Sequence, residues 1–432
     1  ILCKNNFMTF HRKLSEHVSL GIYTAATYLI IPFLALHLKK RLKYGKEHPE
    51  RWREKQGFTN VPRPNGKVIW LNAVGLGEVM ALRGLIHKFH ELDPDLNFLV
   101  TSSTRASSET FTKDLPPKTI HQFLPLDTQI YSKRFLNHWR PNLALWSEQD
   151  IWPGLVHRLA RRGIPQALIN ARMNSRSLQN KTIVRPLFST TYKTFSLISA
   201  QEKETAAALV ALGAQQDIHI DGSMKPHCPP LFVNPDTQTA FKNKIIGKKV
   251  WLAASCHSED EDIALAAHRI LLIKEPNSIL ILAPRNPARK NDIISKLGGL
   301  SFKVRSHGEL PDEKSQIYLA DTFSEMGLWY TNSDYALIGG TFGLVEGHNP
   351  WEALQLGCQV MHGPHYKNFA ADFRALNNVG ASSPVHSPQN IVDALTSSPK
   401  RKLKNYTRMR HEQNNSLTKL VVNLNNLMRD QP

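Results

Sequence analysis

Cysteine is scarce in this sequence, and its spacing excludes two kinds of structure. The chain has 432 residues and four cysteines, which are Cys3, Cys228, Cys256 and Cys358. No two of them have C-x-x-C spacing, so neither a disulfide framework nor a zinc module is indicated. This use of cysteine fits a reducing compartment.

Acidic residues are also in short supply. The chain has 36 Asp and Glu against 54 Lys and Arg, a formal net charge of +18. Such a balance favours phosphates, an anionic bilayer surface or acidic substrates as partners, without choosing among them. No short-period repeat or low-complexity tract is present, and the length exceeds that at which one core keeps growing. We therefore expect two domains with an appendage.

One segment lacks charge altogether. Residues 18–38 contain no Lys, Arg, Asp or Glu, and they are about long enough to cross a bilayer as a helix. Basic residues are more frequent after the segment than before it, which places the rest of the protein in the cytoplasm. We expect a membrane anchor, as a span or as an interfacial helix, with the span favoured over the interfacial form. A cleaved signal peptide is disfavoured because no small-residue cleavage site precedes the basic cluster.

From Lys67 onward, short apolar runs alternate with amphipathic stretches in both halves of the chain. This alternation is typical of an α/β fold with parallel sheets and crossover helices. A proline-rich stretch between the halves reads as a linker. The predicted parts are an anchor with a basic juxtamembrane segment at 1–60, a Rossmann-like domain at 61–225, a linker at 226–240, a second Rossmann-like domain at 241–400 and a C-terminal helix at 401–432.

Ligands of such folds bind at the carboxyl ends of the strands, so motifs directly after strands are of interest. The first, N-A-V-G-L-G-E, ends in Glu78 at the start of a helix, after Gly75 and Gly77. A carboxylate there is able to accept a proton, although it also complements the helix dipole. The dinucleotide pattern G-x-G-x-x-G fails at Met80, and the Walker lysine is missing.

Two further motifs of the first half follow strands. Glu148 begins E-Q-D-I-W-P, where its carboxylate suits hydroxyl recognition, proton handling or helix capping. Arg172 and Arg176 lie in I-N-A-R-M-N-S-R, where they either grip a carboxylate or phosphate or are surface arginines.

The second half has four motifs after apolar strands: A-S-C-H-S-E-D-E, A-P-R-N-P-A-R, I-G-G-T-F and E-G-H-N-P-W-E. Arg285, the glycine-rich turn and a helix opening near Asn349 have the character of a nucleotide phosphate site. A metal site built from the acids and histidines of this region is disfavoured, because tight ligand spacing is missing and an acid-rich helix cap explains them better. These residues are His257, Glu259, Asp260 and His268.

Taken together and in order, these motifs resemble the 3-deoxy-manno-octulosonate (Kdo) transferases over about residues 20 to 380. S-A-Q-E-K-E, G-S-M-K and D-T-F-S-E complete the set. The resemblance implies a GT-B fold, with two Rossmann-like domains facing a cleft. It further implies inverting transfer of Kdo from CMP-Kdo to a lipid A precursor of the lipid IVA type in lipopolysaccharide synthesis, without a metal. The implied location is the bacterial inner membrane, with the catalytic domains facing the cytoplasm.

The resemblance also implies roles for individual residues. Glu78 is the expected general base, and Glu148 is a second acidic group of the site. Three basic residues are expected to meet the negative charges of the donor: Arg172, Lys225 and Arg285. Five residues are expected to line the nucleotide: Pro284, Gly339, Gly340, Asn349 and Glu352.

The chain departs from the family pattern at three places. Leu76 stands directly before Gly77, Asp150 replaces the second glutamate of E-x-E, and Ser324 replaces the glycine before Glu325. Two other functions stay open from the residues: a GT-B enzyme with a different nucleotide sugar, and a non-catalytic basic protein that binds membranes. Nucleic acid is not an expected partner, because no basic groove interleaved with aromatic residues is present.

Overall fold

The computed structural model describes the backbone of residues 2–397 and 403–429 and the side chains of residues 15–397 and 405–429. Lys400, Arg401 and Lys402, and with them the predicted boundary between residues 400 and 401, lie outside the described residues. The chain divides into an N-terminal unit, residues 1–228 and 413–432, and a C-terminal unit, residues 229–412. The division after Cys228 falls inside the predicted linker segment.

The N-terminal unit contains a seven-stranded parallel sheet in the order β3-β2-β1-β4-β5-β6-β7. Its strands are β1 Val68–Asn72, β2 Asn97–Ser102, β3 Thr119–Phe123, β4 Leu143–Ser147, β5 Gln166–Ala171, β6 Leu197–Ala200 and β7 Ile218–Ile220. Its first nine helices are α1 Leu2–Leu29, α2 Ile31–Lys43, α3 Leu76–Leu92, α4 Arg105–Phe111, α5 Gln129–Trp139, α6 Pro153–Ala160, α7 Ser175–Ile183, α8 Arg185–Tyr192 and α9 Lys203–Leu212.

The C-terminal unit contains a second seven-stranded parallel sheet in the order β10-β11-β9-β8-β12-β13-β14. Its strands are β8 Lys249–Cys256, β9 Ser278–Pro284, β10 Phe302–Val304, β11 Ile317–Leu319, β12 Tyr335–Ile338, β13 Gln359–His362 and β14 Ser382–Pro384. The remaining helices are α10 Pro235–Lys244, α11 Ser258–Lys274, α12 Lys290–Lys296, α13 Met326–Thr331, α14 Trp351–Gln355, α15 Ala370–Asn378, α16 Pro388–Thr396 and α17 Leu403–Arg429.

Both sheets are buried on both faces, as the continuous apolar runs predict. The central strands β1 and β4 have every residue buried, and each sheet separates two hydrophobic clusters. A parallel sheet needs crossover helices on its faces, so its strands carry apolar residues on both sides. The two Rossmann-like α/β units predicted from the alternation of runs are confirmed.

The last helix, α17, packs in two places. Tyr406 and Met409 join a cluster around Trp351 in the C-terminal unit. Further along, Val421 and Leu424 are fully buried in the core of the N-terminal unit. A C-terminal helix was expected, but its return to the first unit was not, because that cluster joins α17 to residues of β1 and α3, which are distant in sequence.

The uncharged segment 18–38 is divided between two helices, α1 and α2, where an anchor helix was expected. The break lies at Ile30, and Pro32 is in the first turn of α2. Proline has no amide N–H to donate and its ring clashes with the carbonyl four residues earlier, which ends the preceding helix. Within the described residues no single helix is long and apolar enough to cross a membrane, but Ser15–Leu29 and Ile31–Lys43, bent by 54°, meet that test together.

The described part of α1 packs against the rest of the N-terminal unit through polar contacts. The hydroxyl of Tyr23 donates to the buried carboxylate of Asp127 at 2.8 Å. Glu16 is only 5% exposed and forms an ion pair at 2.7 Å with Lys193, the residue that follows α8. These contacts tie the helix to the unit along one side.

Candidate active site

Three of the predicted residues meet at one edge of the N-terminal sheet. Glu78 lies in the first turn of α3 after β1, Glu148 follows β4 and Arg172 follows β5. Strand β4 pairs with both β1 and β5 in parallel, so the carboxyl ends of these strands are adjacent. The spacing of motifs after strands therefore predicts this edge correctly.

Glu78 has an environment suited to proton transfer. Its side chain is half-buried and accepts a hydrogen bond from the amide of Val74 at 3.0 Å. Burial, and then the charge of Glu148, raise the pKa of Glu78 from 4.5 to about 7, with a smaller contribution from Asp150. The Val74 amide acts in the opposite direction because it stabilises the carboxylate. The carboxyl group therefore changes its protonation near neutral pH.

Glu148 and Lys225 are held at this edge by unusual backbone geometry. Glu148 is 8% exposed and has φ +60°, and its amide donates to the carbonyl of Ile169 at 3.1 Å. Asn170 has φ +51°, and its side-chain oxygen accepts from the amide of Met224 at 3.1 Å. That bond places Lys225, 9% exposed, beside the end of β5. Left-handed backbone at non-glycine residues is uncommon and concentrates at functional sites.

Lys181 is a neighbour of this edge that no motif indicated. It lies on α7, and its ammonium group donates to the carbonyl of Gln149 at 2.8 Å and to the Tyr192 hydroxyl at 3.3 Å. Burial lowers the pKa of Lys181 to about 8, and Asp150 partly offsets this. Burial raises the pKa of Asp150, and the charge of Lys181 acts in the opposite direction by lowering it. The sequence offers no signal for this pair because its members are 31 positions apart on different elements.

The C-terminal sheet also brings its motifs to one edge. Strand β8 lies between β9 and β12, with Cys256 opposite Pro284 and Ala254 opposite Ile338. The residues that follow these strands are His257, Arg285 and Gly339. Arg285 is exposed, and within the part of the chain with described side chains, residues 15–397 and 405–429, no acceptor binds its guanidinium group.

The glycine-rich turn after β12 is occupied by an internal carboxylate. The side chain of Asp260, fully buried on α11, accepts from the amides of Gly340, Thr341 and Phe342 at 2.6 to 3.2 Å. Gly339 is required by packing, since a Cβ there would lie 2.3 Å from the carbonyl oxygen of Ser255. The expectation that this turn offers amides to a phosphate is therefore wrong for these three groups.

Asn349 and Glu352 form the opening of α14. The Asn349 amide donates to the Glu352 carboxylate at 3.1 Å, and its oxygen accepts from the Trp351 backbone at 3.1 Å. Burial raises the pKa of Glu352, while Asn349 and the charge of Arg285 lower it. A half-buried carboxylate beside an arginine is suited to accept hydrogen bonds from neutral hydroxyl groups.

The two arginines of A-P-R-N-P-A-R differ in their surroundings. Arg289 forms a bidentate pair with Glu261 at 2.6 and 2.9 Å, and Glu261 is fully buried. Arg289 therefore anchors the turn after β9, whereas Arg285 projects from the same turn into solvent. The motif alone did not show that Arg289 has a structural role while Arg285 is available to bind a ligand.

The serine that departs from the family pattern lies in a strained turn. Ser324 has φ +67°, a conformation that favours glycine. Next to it, Glu325 is held by Arg305 at 2.6 and 3.0 Å, and this pairing lowers the pKa of Glu325. Ser324 therefore adopts a left-handed backbone conformation that glycine would adopt without strain.

The residues considered for a metal site do not come together. His268 is buried, and its ring contacts the Trp251 indole N–H at 3.1 Å and the Gln316 carbonyl at 2.8 Å. Asp260 is committed to the glycine turn. In the part of the chain that the structure describes, no group of three or more His, Cys, Asp or Glu is arranged to hold a metal ion.

Comparison with known proteins identifies the family. Residues 50–227 match the family model described as 3-Deoxy-D-manno-octulosonic-acid transferase (kdotransferase). The chain is 34% identical over 394 residues to a mitochondrial protein of Arabidopsis thaliana named as a probable 3-deoxy-D-manno-octulosonic acid transferase, covering 88% of each chain. It is 33% identical to the 3-deoxy-D-manno-octulosonic acid transferase of Haemophilus influenzae, covering 86% of this chain and 88% of that one.

Among solved structures, the UDP-GlcNAc 2-epimerase of Neisseria meningitidis has a similar fold. Its TM-score is 0.52 at 15% identity, with 83% of this chain and 99% of that chain covered. At this identity the likeness concerns the fold alone, which is of the GT-B type. The sequence comparisons are closer and cover most of the chain, so this protein belongs to the 3-deoxy-D-manno-octulosonic acid transferase family of glycosyltransferases.

Proposed function

We propose that this transferase moves Kdo from CMP-Kdo to a hydroxyl group of a phosphorylated, acylated lipid A precursor of the lipid IVA type, with Glu78 as the general base. The observation that carries the proposal is the pKa of Glu78, raised to about 7 at the carboxyl edge of the N-terminal sheet. A base is most effective when its pKa is near the working pH, and it contributes roughly 10²–10⁴ in rate.

The reaction is a direct displacement. A carboxylate oxygen of Glu78 takes the proton of the acceptor hydroxyl, and the hydroxyl oxygen forms a bond to the anomeric carbon of Kdo. The bond from that carbon to the phosphate oxygen breaks, and its electron pair leaves with CMP. A single displacement inverts the anomeric centre. The scheme needs no metal, because Arg285 and other cationic groups offset the charge that develops on the phosphate.

Other residues support the two substrates. Burial and, after it, the charge of Glu148 raise the pKa of Glu78. Arg172 and Lys225, at the same edge, are suited to the carboxylate of the sugar or the phosphates of the acceptor.

On the C-terminal unit we assign the nucleotide to the residues at the ends of β9 and β12 and the opening of α14. Pro284 ends β9 and Arg285 follows it, and Gly339 and Gly340 shape the turn after β12. Glu352 is suited to accept from the ribose hydroxyls.

The bent pair α1 and α2 is the proposed membrane attachment. Its exposed apolar side chains include Ile22, Leu29 and Phe33, which are 65%, 74% and 69% exposed. Basic residues follow in the last turn of α2, where each contributes about 1 kcal/mol near an anionic surface. Because Tyr23 and Glu16 hold α1 against the N-terminal unit, an interfacial attachment is better supported than a span. We place it on the cytoplasmic face of the bacterial inner membrane.

Attachment is tested by flotation with vesicles that contain anionic lipid. Leu29→Asp should release the protein, and Ile273→Asp, an equally drastic change at an 82% exposed site of α11, should not. If both variants still float with the vesicles, the assigned surface is wrong.

The transfer activity is tested with detergent-solubilised protein, CMP-Kdo generated in place, a tetra-acylated lipid A precursor and a chelator, with products read by mass. A mass gain of one or more Kdo units is expected, and Glu78→Gln should reduce the rate by about 10²–10⁴. Activity with a UDP-sugar instead would refute the donor. Activity only after a divalent cation is restored would refute metal-free transfer.

A further inference from the structure

Two histidines of the C-terminal unit share a hydrogen bond at the edge that carries Arg285. His257 follows β8 and His348 lies in the loop after β12, and their Nε2 atoms are 3.0 Å apart. The two ring planes are nearly parallel, inclined by 18°, with centroids 5.2 Å apart. One of two such nitrogens must donate and the other must accept.

The start of α11 decides which nitrogen donates. The amide of His257 donates to the Asp260 carboxylate at 2.9 Å, and the amide of Asp260 in turn donates to the His257 ring. Since Nε2 of His257 is engaged with His348, the ring atom that accepts is Nδ1. A nitrogen that accepts carries no proton, so neutral His257 is protonated on Nε2 and donates to His348.

The same reasoning fixes the tautomer of His348. Its Nε2 accepts from His257, so its own proton is on Nδ1. Burial, and then the neighbouring His257 and Arg285, lower the pKa of His348 to about 4, which keeps the ring neutral at pH 7. Among the residues whose side chains the structure describes, 15–397 and 405–429, no acceptor binds Nδ1 of His348, which is half-buried.

Three backbone amides of the neighbouring glycine turn are not available to an anion beside this N–H. The three amides of the glycine turn are bound by Asp260. Arg285 is close enough to influence the pKa of both His348 and Glu352. An unpaired guanidinium and an oriented neutral N–H near one strand edge form a receptor for a phosphate oxygen.

We propose that Nδ1–H of His348 donates to the phosphate of the bound nucleotide, and that His257 is a positioning residue which fixes this tautomer. The inference rests on the proposed CMP donor. A neutral donor gains strength as negative charge accumulates on the departing phosphate, so it favours the transition state over the intact donor.

The test compares the affinities of CMP and cytidine by calorimetry, because only CMP carries the phosphate. His348→Ala should weaken CMP binding about 10- to 100-fold and leave cytidine unchanged, as expected for one hydrogen bond to a charged group. His348→Asn should retain most of the affinity, because the asparagine Nδ2 takes roughly the position of Nδ1. His386→Ala, at an exposed histidine of the same unit, is the matched control and should change neither affinity.

His257 is tested in the same way. His257→Ala should lose part of the phosphate contribution, and His257→Gln should restore it by supplying an N–H in place of Nε2. Nitrogen-15 spectra of the wild type should show His348 protonated on Nδ1. Equal losses for CMP and cytidine in His348→Ala, or a proton on Nε2 of His348, would overturn the proposal. So would CMP binding that a chelator abolishes, since a metal between the rings needs both Nε2 atoms unprotonated.

If the wild type does not bind CMP, the proposal of a CMP-linked donor is refuted, and the histidine pair is then tested with another nucleotide. UMP then takes its place as the probe. Weaker UMP binding by His348→Ala, with uridine unaffected, would support the histidine pair with a different nucleotide, and an unchanged UMP affinity would refute it.

Discussion

Replacing Glu148 by glutamine removes a negative charge that raises the pKa of Glu78, so the pH dependence of transfer should move with it. In the wild type we expect kcat/KM to rise with pH through about 7, because Glu78 must lose its proton to act as a base. Burial is the larger cause of the raised pKa and is retained in Glu148→Gln. The rising limb of the variant should therefore lie below 7 but remain above 4.5.

The assay measures kcat/KM from about pH 5 to 9 at limiting acceptor. The quantity compared is the pH at the midpoint of the rising limb, not the maximum value of kcat/KM. Asp150→Asn should move the limb in the same direction by less, because Asp150 contributes less to the pKa of Glu78. Glu91→Gln, at the exposed far end of α3, should not move it. A wild-type limb near 4.5, or an unchanged limb in Glu148→Gln, would refute the reasoning.

The same shift has a consequence for stability. Native Glu78 binds its proton more tightly than the unfolded chain, whose carboxyl titrates near 4.5, so the wild type loses stability as the pH rises from about 4.5 through about 7. At about 1.4 kcal/mol per pH unit, this loss is at most about 3.5 kcal/mol. Glu78→Gln escapes it, so its advantage over the wild type in urea unfolding should be larger at pH 8 than at pH 4.5. An advantage that does not change with pH would contradict the assignment.

The remaining predictions concern the C-terminal unit. Asp260→Ala leaves four amides without their acceptor and should lower stability by about 3–5 kcal/mol in thermal unfolding, whereas Asp262→Ala, exposed on the same helix, should change it by less than about 0.5. Arg289→Met should cost about 3–5 kcal/mol because it removes the bidentate partner of buried Glu261. Arg285→Met should leave stability within about 0.5 kcal/mol and weaken CMP binding about 10- to 100-fold. Equal effects of the two arginine changes on stability would contradict the distinction between them.

Sequence patterns predicted much of the architecture because they are local. Continuous apolar runs such as V-I-W-L-N report strands buried on both faces, and the stretches between them report helices. Glu78, Glu148 and Arg172 each follow a strand in the sequence, and the structure places them at one edge of the sheet. The motif order identified the family, which the comparisons confirm.

Two features of the structure differ from what the local sequence patterns indicated, and each has a physical reason. Pro32 divides the uncharged segment into two helices, although composition alone made it look continuous. The glycine turn after β12 looked like a phosphate site, but Asp260, 80 positions earlier, occupies its amides. The proposed roles of Arg172, Lys225 and Glu352 stay predictions.

What the sequence by itself determined is therefore the succession of strands and helices, the family and the acids and bases that follow the strands. The tertiary structure alone decided the order of the strands, the raised pKa of Glu78, the capture of the glycine turn by Asp260 and the meeting of His257 with His348. The reason is that burial, charge interactions and hydrogen bonds depend on distances in space. A pattern of neighbouring residues records which groups are available, and only the folded chain sets which of them meet.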